Sequence, residues 1–467
     1  MADREADPQS ARQAMEQALK SAILERYSDR PLPRYTSYPT APHFAATDEA
    51  LYRDWLKMLP AAADVSLYVH VPFCRSMCWY CGCHTTITAR DAPIARYLDA
   101  LNREIELVGE ALSHLPVVRH LHFGGGTPTL MPPEQFVVLM NRLRHKFAFA
   151  GDAEIAIEID PRTLEPEMIT ALARGGVNRA SLGVQSFDPV VQQAINRIQS
   201  FEQTKATAEG LRRAGIAGIN FDLIYGLPHQ DVASCVETVR QAVRLAPDRF
   251  AVFGYAHVPS FKLHQRKIDE AALPGGAERH DQAEAIAEAL VEEGYVRIGL
   301  DHFALPDDAL ALAHATGSLR RNFQGYTTDN CETLLGFGAS SIGRLPQGFV
   351  QNAVLIGDYQ RRIAEGKLAV SKGRAFEPED RLRAAVIERI MCDFRVDLDA
   401  VCTPFGVSPD HLANDNVALD ELVAHGIARR ERHVVSLAED ARPLVRVLAA
   451  AFDQYLHETP RRHSRAV

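Results

Sequence analysis

Short apolar runs alternate with amphipathic stretches from residue 64 to about residue 300. Between Ile94 and Leu112, apolar residues recur at three- and four-residue steps, which is the periodicity of a half-buried helix. Six apolar runs separated by such stretches are predicted to be strands, at 66–71, 118–123, 154–159, 179–184, 219–226 and 249–256. Strands that alternate with crossover helices pair in parallel, so the pattern predicts an α/β fold with helices outside a parallel sheet.

The repeat favours a TIM-like barrel, open or closed, with a doubly wound sheet as the second interpretation. In either fold, functional side chains are expected at the carboxyl ends of the strands. Residues 1–48 lie outside the repeat and carry a helix-like start followed by closely spaced prolines, which predict an N-terminal arm or lid. The barrel and its extension are expected over 49–375. A mostly helical C-terminal domain is expected over 376–467, with a winged-helix-like module and a long final helix through Leu448 and Tyr455.

The composition is that of a folded protein, with 467 residues of which 46% are hydrophobic. Sixty acidic residues against 51 Lys and Arg give a net charge of −9, so the surface as a whole does not attract nucleic acid or anionic lipid. Apolar runs stay below the roughly 18 residues that a membrane span needs, and the start is too polar for a signal peptide. We therefore expect a cytoplasmic monomer with no membrane span.

A DNA-binding regulator stays an alternative on one feature near the end of the chain. The segment ARRERHVVSL, with Arg429, Arg430 and Arg432, could form a wing that reads DNA. The negative net charge argues against this alternative. Arg461, Arg462 and Arg465 form a basic tail, which we interpret as solvated.

Four of the eight cysteines follow the first predicted strand directly, in the segment YVHVPFCRSMCWYCGCH. Cys74, Cys78 and Cys81 have the spacing C-x-x-x-C-x-x-C, and Cys83 comes two positions later. Thiolates in such close succession are typical ligands of an iron–sulfur cluster of the [4Fe-4S] type. Zinc is the alternative, but zinc sites usually draw two C-x-x-C pairs from separate places in the chain. The other four cysteines are scattered and are interpreted as small buried side chains: Cys235, Cys331, Cys392 and Cys402.

The cysteine motif after the first strand of a partial barrel resembles the radical S-adenosylmethionine (SAM) superfamily. The resemblance implies that Cys74, Cys78 and Cys81 hold the cluster, and that its fourth iron binds the amino and carboxylate groups of SAM. Electron transfer from the reduced cluster would then yield methionine and a 5′-deoxyadenosyl radical.

Further motifs resemble the oxygen-independent coproporphyrinogen III oxidase family over nearly the whole length: PRYTSYPT, CGC, FGGGTPT, IEIDPR, LGVQSF, DLIYGLP, GYAHVP, DHFALPDD, RNFQGYTT and CDFRVD. The family implies a radical SAM partial (β/α)6 TIM-like barrel with an N-terminal arm and a mostly helical C-terminal domain. It also implies oxidative decarboxylation of two propionates of coproporphyrinogen III to vinyl groups, giving protoporphyrinogen IX in haem biosynthesis. The expected electron donor is a low-potential protein such as flavodoxin or ferredoxin.

A haem chaperone without oxidase activity resembles the same family and is the main alternative. It typically carries an aromatic residue where Cys83 stands and lacks the PRYTSYPT arm, so both features favour the oxidase.

Site residues follow from the same resemblance. Tyr68 and Cys83 are expected to be catalytic, and two SAM molecules are expected. The cluster-bound SAM is expected to contact Tyr68, Gly125, Glu158 and Ile342, and the second SAM to contact Tyr80, Gly126, Thr127, Gln185, Arg197, Asp222 and Ala256. Basic candidates for the substrate carboxylates lie in matching motifs at Arg34, Arg197, Lys262 and Arg321, while the roles of His257 and His302 stay open between structure and catalysis.

Overall fold

The computed structural model describes residues 26–27 and 30–456. The helix-like start predicted for the arm and the basic tail at Arg461, Arg462 and Arg465 lie outside the described residues. The strands are β1 (Ala45–Ala46), β2 (Asp64–Val71), β3 (Phe73–Cys74), β4 (Thr86–Ile87), β5 (Val117–Gly125), β6 (Ala148–Ile159), β7 (Arg179–Gln185), β8 (Gly218–Tyr225), β9 (Arg249–Gly254), β10 (Val296–Ile298), β11 (His302–Ala304), β12 (Arg320–Asn322), β13 (Gly325–Thr327), β14 (Thr333–Phe337), β15 (Ile342–Leu345), β16 (Gly348–Asn352), β17 (Val370–Ala375), β18 (Arg395–Asp397), β19 (Ala428–Glu431) and β20 (Val434–Leu437).

Helices connect most of these strands. The α-helices are α1 (Glu49–Lys57), α2 (Ala92–Ala111), α3 (Pro133–Lys146), α4 (Pro166–Arg174), α5 (Pro189–Ala194), α6 (Phe201–Arg213), α7 (Val232–Val243), α8 (Gly276–Glu292), α9 (Ala309–Ala315), α10 (Ile356–Ala364), α11 (Pro378–Asp393), α12 (Leu398–Cys402), α13 (Asp410–Ala413), α14 (Val417–Ala424) and α15 (Val445–Ala450). Short 3-10 helices cover Ala41–His43, Pro128–Leu130, Leu263–Lys267, Glu270–Ala272, Thr403–Phe405 and Glu439–Leu444. In the described part of the chain, no helix is both long enough and apolar enough to cross a membrane.

A large sheet organises the fold, and its centre consists of parallel strands in the order β14-β2-β5-β6-β7-β8-β9. The six predicted strands are confirmed as β2 and β5 to β9. Antiparallel strands extend both edges, with β15, β16, β17 and β1 beyond β14, and β11 and β10 beyond β9. The order starts at β1 and ends at β10, so the sheet is an open, partial barrel as the family resemblance implies.

Burial alternates along β7 and β8 and gives this part of the barrel an apolar outer face and a polar inner face. On β7, Ala180, Leu182 and Val184 are buried, whereas the residues between them stay partly accessible. Helix α2 covers the outer face with one apolar stripe, in which Ile94 and Leu98 are each 1% exposed. The main core therefore lies between sheet and helices, and the inner face is left free for polar groups.

The C-terminal part has a second hydrophobic core, built from α11, α15 and the three-stranded sheet β18-β20-β19. Arm residues pack into this second core, among them Tyr27, Leu32, Tyr35 and Tyr38. The phenol of Tyr35 donates a hydrogen bond to Asp453 at 3.0 Å. The arm is thus anchored on the C-terminal part of the chain.

The prediction of a long final helix is wrong. The chain forms a 3-10 helix at Glu439–Leu444, then the six-residue α15, and continues in turns to Tyr455. Pro443 has no backbone N–H to continue a helical ladder. Beyond α15, the Asp453 side chain accepts a hydrogen bond from the backbone N–H of Tyr455 at 2.9 Å, which stabilises a turn in place of a helix.

Candidate active site

A cavity of about 840 Å³ lies inside the partial barrel and includes residues at the carboxyl ends of its strands. Most residues predicted to act in chemistry or cofactor binding line it: Tyr68, Cys74, Cys78, Tyr80, Cys81, Cys83, Gly125, Gly126, Thr127, Glu158, Gln185, Arg197, Asp222 and Ala256. Ile342 is not among the lining residues and lies on β15, paired with Gln351 of β16. Chain segments far apart in sequence therefore meet in one chamber.

The cysteine loop begins where β2 ends. Cys74 belongs to β3, which pairs with β4, and its backbone oxygen accepts a hydrogen bond from Thr88 N–H at 3.0 Å. A tight turn follows, in which the Cys81 N–H donates to the Cys78 oxygen at 3.1 Å. All three cysteines are free thiols, so they are available as metal ligands.

Polar groups surround these thiols. Arg162 and Arg197 donate to the Cys78 sulfur at 3.5 and 3.6 Å. The Thr127 hydroxyl donates to the Cys74 sulfur at 3.5 Å, yet burial raises the pKa of Cys74 to about 11. A hydrogen bond with the Cys83 side chain, assisted by the Cys83 backbone N–H, lowers the pKa of Cys81 to about 7 against the effect of burial. The loop is thus prepared to hold at least one thiolate near neutral pH.

A segment from beyond β9 holds the same loop through its carbonyl groups. Lys262 donates to the Cys83 oxygen at 2.9 Å, and His264 Nε2 lies 2.8 Å from the Cys81 oxygen. Gln265 donates to the Tyr80 oxygen at 2.9 Å. The sequence reasoning missed this clamp and gave Lys262 only as a candidate for the substrate carboxylates. The bond partners here are backbone atoms, which no motif reveals.

The glycine loop after β5 packs directly against the cysteine loop. A Cβ atom on Gly126 would lie 2.5 Å from the backbone oxygen of Phe73, so no side chain fits there. Gly125 has φ of +114°, a conformation that favours glycine. Its N–H donates to Glu158 Oε2 at 3.1 Å, which joins this loop to the end of β6.

Glu158 is held as a carboxylate at the centre of the cavity. Burial acts to raise its pKa, but the hydrogen bond with His122 and the one from the Gly125 N–H outweigh burial, so the pKa is lowered. Tyr68 lies close by, with its phenol oxygen 2.9 Å from His70 Nδ1 and its ring stacked on that of His122 at 6.0 Å. Burial raises the pKa of Tyr68, so the phenol keeps its proton.

A second group of predicted residues lines the wall formed by β7 and β8. Arg197, whose side chain is 6% exposed, donates to the Gly183 oxygen at 2.6 Å and to Gln199 Oε1 at 3.0 Å. Gln185 adopts φ of +70°, and its Oε1 is buried without a hydrogen-bond partner in the described part of the chain. Burial, reinforced by Glu158, raises the pKa of Asp222 to about 7.

These residues fit the groups that the sequence analysis implies. Three free thiols line one cavity, and Gly126 lets the glycine loop pack against the backbone of Phe73 beside them. The unpartnered Gln185 oxygen leaves a hydrogen bond for a bound molecule to complete. Within the described residues, no group of three or more His, Cys, Asp or Glu side chains is arranged to hold a single metal ion.

Comparison with known proteins now decides the family. The Radical SAM superfamily matches residues 68–242. A protein from Bradyrhizobium diazoefficiens named oxygen-independent coproporphyrinogen III oxidase is 58% identical over 450 residues, covering 96% of this chain and 100% of that protein. The chain belongs to the oxygen-independent coproporphyrinogen III oxidase family. The family resemblance drawn from the motifs is confirmed.

Other members of this oxidase family are also similar to the chain in sequence and in fold. The protein of the same name from Pseudomonas aeruginosa is 41% identical over 454 residues, covering 95% of this chain and 98% of its own. The solved structure of coproporphyrinogen III oxidase from Escherichia coli, described as a radical SAM enzyme, matches with a TM-score of 0.86 and 37% identity. That match covers 91% of this chain and 100% of the Escherichia coli chain, so the fold agrees over nearly the whole length. Radical SAM membership brings a [4Fe-4S] cluster and SAM as the cofactors of the oxidase family.

Proposed function

We propose that this protein converts coproporphyrinogen III to protoporphyrinogen IX by oxidative decarboxylation of two propionate side chains. The observation that carries the proposal is the meeting of Cys74, Cys78 and Cys81 with the glycine loop and Glu158 in one cavity. The cavity of about 840 Å³ falls within the ~300–1,000 Å³ typical of ligand pockets.

Different residues of the chain would hold the cluster and the reactants. Cys74, Cys78 and Cys81 would hold the cluster. When bound, the cluster and SAM supply the one-electron chemistry that removes a hydrogen atom from the β-carbon of a propionate. The barrel wall and the glycine loop would hold the reactants in fixed geometry and keep water out, while Tyr68 and Cys83 would act at the reacting centre.

Two SAM molecules are part of the proposal. The first would contact Tyr68, Gly125, Glu158 and Ile342. For the second, the proposed contacts are Tyr80, Gly126, Thr127, Gln185, Arg197, Asp222 and Ala256. The unpartnered Gln185 oxygen supports the second position, since a bound molecule would complete its hydrogen bonding. Equilibrium dialysis of the reconstituted protein with labelled SAM is expected to saturate at two equivalents, and saturation at one would remove the second molecule.

The proposal includes a low-potential protein donor, such as flavodoxin or ferredoxin, and a monomeric enzyme of the cytoplasm. Sedimentation of the reconstituted protein tests the monomer. Reduction of its cluster by each candidate donor, followed by absorbance, tests the electron supply.

The function is tested by anaerobic turnover of reconstituted protein with coproporphyrinogen III, SAM and a reductant. We expect two CO2 and two vinyl groups per substrate. Stable haem binding without CO2 release would identify a haem chaperone and refute the proposal. Cys83→Ser should keep the cluster absorbance and lose at least tenfold in turnover, which separates a role in chemistry from one in cluster binding.

A further inference from the structure

A group of arginine side chains lies beside the cavity, around the carboxylate of Asp301. Arg34 of the arm lines the cavity, whereas Arg321 on β12 and Arg446 on α15 are not among the lining residues. Asp301 interacts with all three, and Arg321 and Arg34 contribute to the lowering of its pKa. Burial first, and then the charges of Arg34 and Arg321, lower the pKa of Arg446 to about 10. The three guanidinium groups thus lie around the carboxylate of Asp301, and the pKa of Arg321 is raised because Tyr326 and Asp301 outweigh the effect of burial.

Arg446 fixes the backbone next to Arg34. Arg446 Nε donates to the Pro33 oxygen at 3.0 Å, and its Nη2 donates to the Leu32 oxygen. These bonds attach the backbone just before Arg34 to α15. Arg34 itself is exposed, while the residues on either side of it, Pro33 and Tyr35, are buried. The arm therefore presents one cationic side chain to the cavity from an anchored backbone.

The Arg321 side chain has N–H groups that donate to no acceptor among the described residues. Its Nε and Nη1 atoms are buried and have no hydrogen-bond partner among the described residues. Its guanidinium stacks over the Tyr326 ring with 4.5 Å between its central carbon and the ring centroid. The stacking fixes the plane of the guanidinium and leaves Nε and Nη1 without an acceptor. A buried guanidinium in this state is stabilised when a carboxylate accepts from it, commonly through two parallel hydrogen bonds.

The hairpin that carries Arg321 also reaches the predicted reaction centre. Phe323, in the turn between β12 and β13, lies edge-on against Tyr68 with ring centroids 4.6 Å apart. Arg321 stands two residues earlier, which is about 7 Å along an extended chain. The hairpin therefore connects the part of the cavity at Tyr68 with the segment that carries Arg321.

We propose that Arg34 and Arg321 form a carboxylate-binding subsite, which holds a propionate of the substrate that is not being decarboxylated. The identity of this carboxylate rests on the proposed function, because coproporphyrinogen III carries four propionates of which two are kept. Phe323 and Tyr326 line the cavity next to the subsite and offer apolar surface to the ring system. The subsite would thus fix the orientation of the macrocycle.

Binding of coproporphyrin III, the stable oxidised form, tests the subsite without turnover. Its affinity for the reconstituted protein is measured by the change in Soret absorbance, and its tetramethyl ester, which lacks the charges, serves as the comparison ligand. The variants are Arg34→Met, Arg34→Lys and Arg321→Met. Arg96→Met is the matched control, because Arg96 is an exposed arginine of α2 outside the cavity lining.

We expect Arg34→Met and Arg321→Met to bind the acid at least tenfold more weakly, with unchanged affinity for the ester. Arg34→Lys should regain part of the loss, and Arg96→Met should bind as the wild type does. In turnover assays the KM for coproporphyrinogen III should rise more than kcat falls.

Three results would overturn the subsite: wild-type affinity in both Met variants, equal losses for acid and ester, or a loss of SAM affinity in place of porphyrin affinity. The last would mean that the arginines hold the carboxylate of the cofactor. A wild-type protein that shows the acid preference but no decarboxylation would refute the proposed function and leave the subsite standing. Arg34 is exposed, so its variants keep the test open if Arg321→Met does not fold.

Discussion

Arg197 donates a hydrogen bond to the sulfur of Cys78 across 3.6 Å, joining two segments that are 119 residues apart in the chain. The same guanidinium lies 3.3 Å from Asp160 Oδ1. A buried cation thus connects a predicted cluster ligand with the barrel wall.

Removal of this cation should destabilise the fold. Arg197→Met leaves the Asp160 carboxylate with Arg162 as its remaining cationic partner, and we expect a loss of about 3 kcal/mol in the free energy of unfolding. Urea denaturation measures it. Arg213→Met is the control, because Arg213 pairs with Glu209 at 3.7 Å on the surface and should contribute less than about 1 kcal/mol. Equal effects of the two substitutions would contradict the structural role of Arg197.

Cys78→Ala should remove the cluster. The thiol is one of three that share the cavity, and a cluster bound by two cysteines loses a required ligand. Iron and sulfide analysis after anaerobic reconstitution should show at least a tenfold loss of both, together with loss of turnover. Cys235→Ala, at a buried thiol of α7 outside the cavity lining, should keep both. Unchanged iron in Cys78→Ala, or zinc in the wild type, would refute the cluster assignment.

Lys262→Met should make the Cys81 thiol less acidic. Hydrogen bonds with Cys83 are the main cause of the lowered pKa of about 7, and the Lys262 charge contributes to the lowering. Loss of that charge should move the pKa of Cys81 upward. Alkylation of cluster-free protein with iodoacetamide, followed by peptide mapping across pH, measures the midpoint at Cys81. Lys205→Met, on the exposed side of α6, should leave the midpoint where it is in the wild type.

Gly126→Ala should disturb the contact between the two loops. The added Cβ would lie 2.5 Å from the Phe73 oxygen and 2.7 Å from its nitrogen, so backbone has to move. We expect a loss of about 2 kcal/mol in unfolding free energy, together with weaker SAM binding. Gly151→Ala is the matched change at an open position, with no atom within 4 Å of the new Cβ. It should leave both the unfolding free energy and SAM binding unchanged. A Gly126→Ala protein with wild-type stability would show that the loops move apart easily.

Asp222→Asn should change the pH dependence of stability. Burial, assisted by Glu158, raises the pKa of Asp222 to about 7 in the folded protein, so the folded state binds the proton more tightly than the unfolded state does. Its contribution to stability is therefore complete below about pH 4 and is lost as the pH rises to 7. Relative to the wild type, Asp222→Asn should gain up to about 4 kcal/mol over this range. Urea titrations at several pH values measure the difference, and a constant difference would contradict the shift.

The central sheet could be predicted because its strands carry a strong local signal. Residues such as Ala180 and Leu182 are buried under helices, and the apolar runs that contain them stand out in the sequence. The strands β10 and β11 at one edge, and β12 and β13 of a separate two-stranded sheet, have three residues each, too few for a period to show. The prediction of a long final helix was wrong for a local reason, because the turn that Asp453 stabilises replaces the helix that the apolar periodicity favours.

The candidate site was predictable where a motif lies at the end of a strand. Glu158 and Asp222 line one cavity because parallel strands bring their carboxyl ends together. Lys262 and Arg321 were candidates for the substrate carboxylates, but the hydrogen bond from Lys262 to the cysteine loop and the unpartnered N–H groups of Arg321 could not be predicted. Both depend on contacts between distant segments, one of them with backbone atoms, and neither leaves a pattern in the sequence.

The anchoring of the arm on the C-terminal core has a consequence for biosynthesis. Arg34 reaches the cavity only from a backbone that Arg446 holds, and Tyr35 rests against Asp453. The ribosome releases the barrel strands well before α15, so a nascent chain has its barrel strands available before the arm has a place to dock. The arm therefore completes the cavity wall only after α15 has been synthesised.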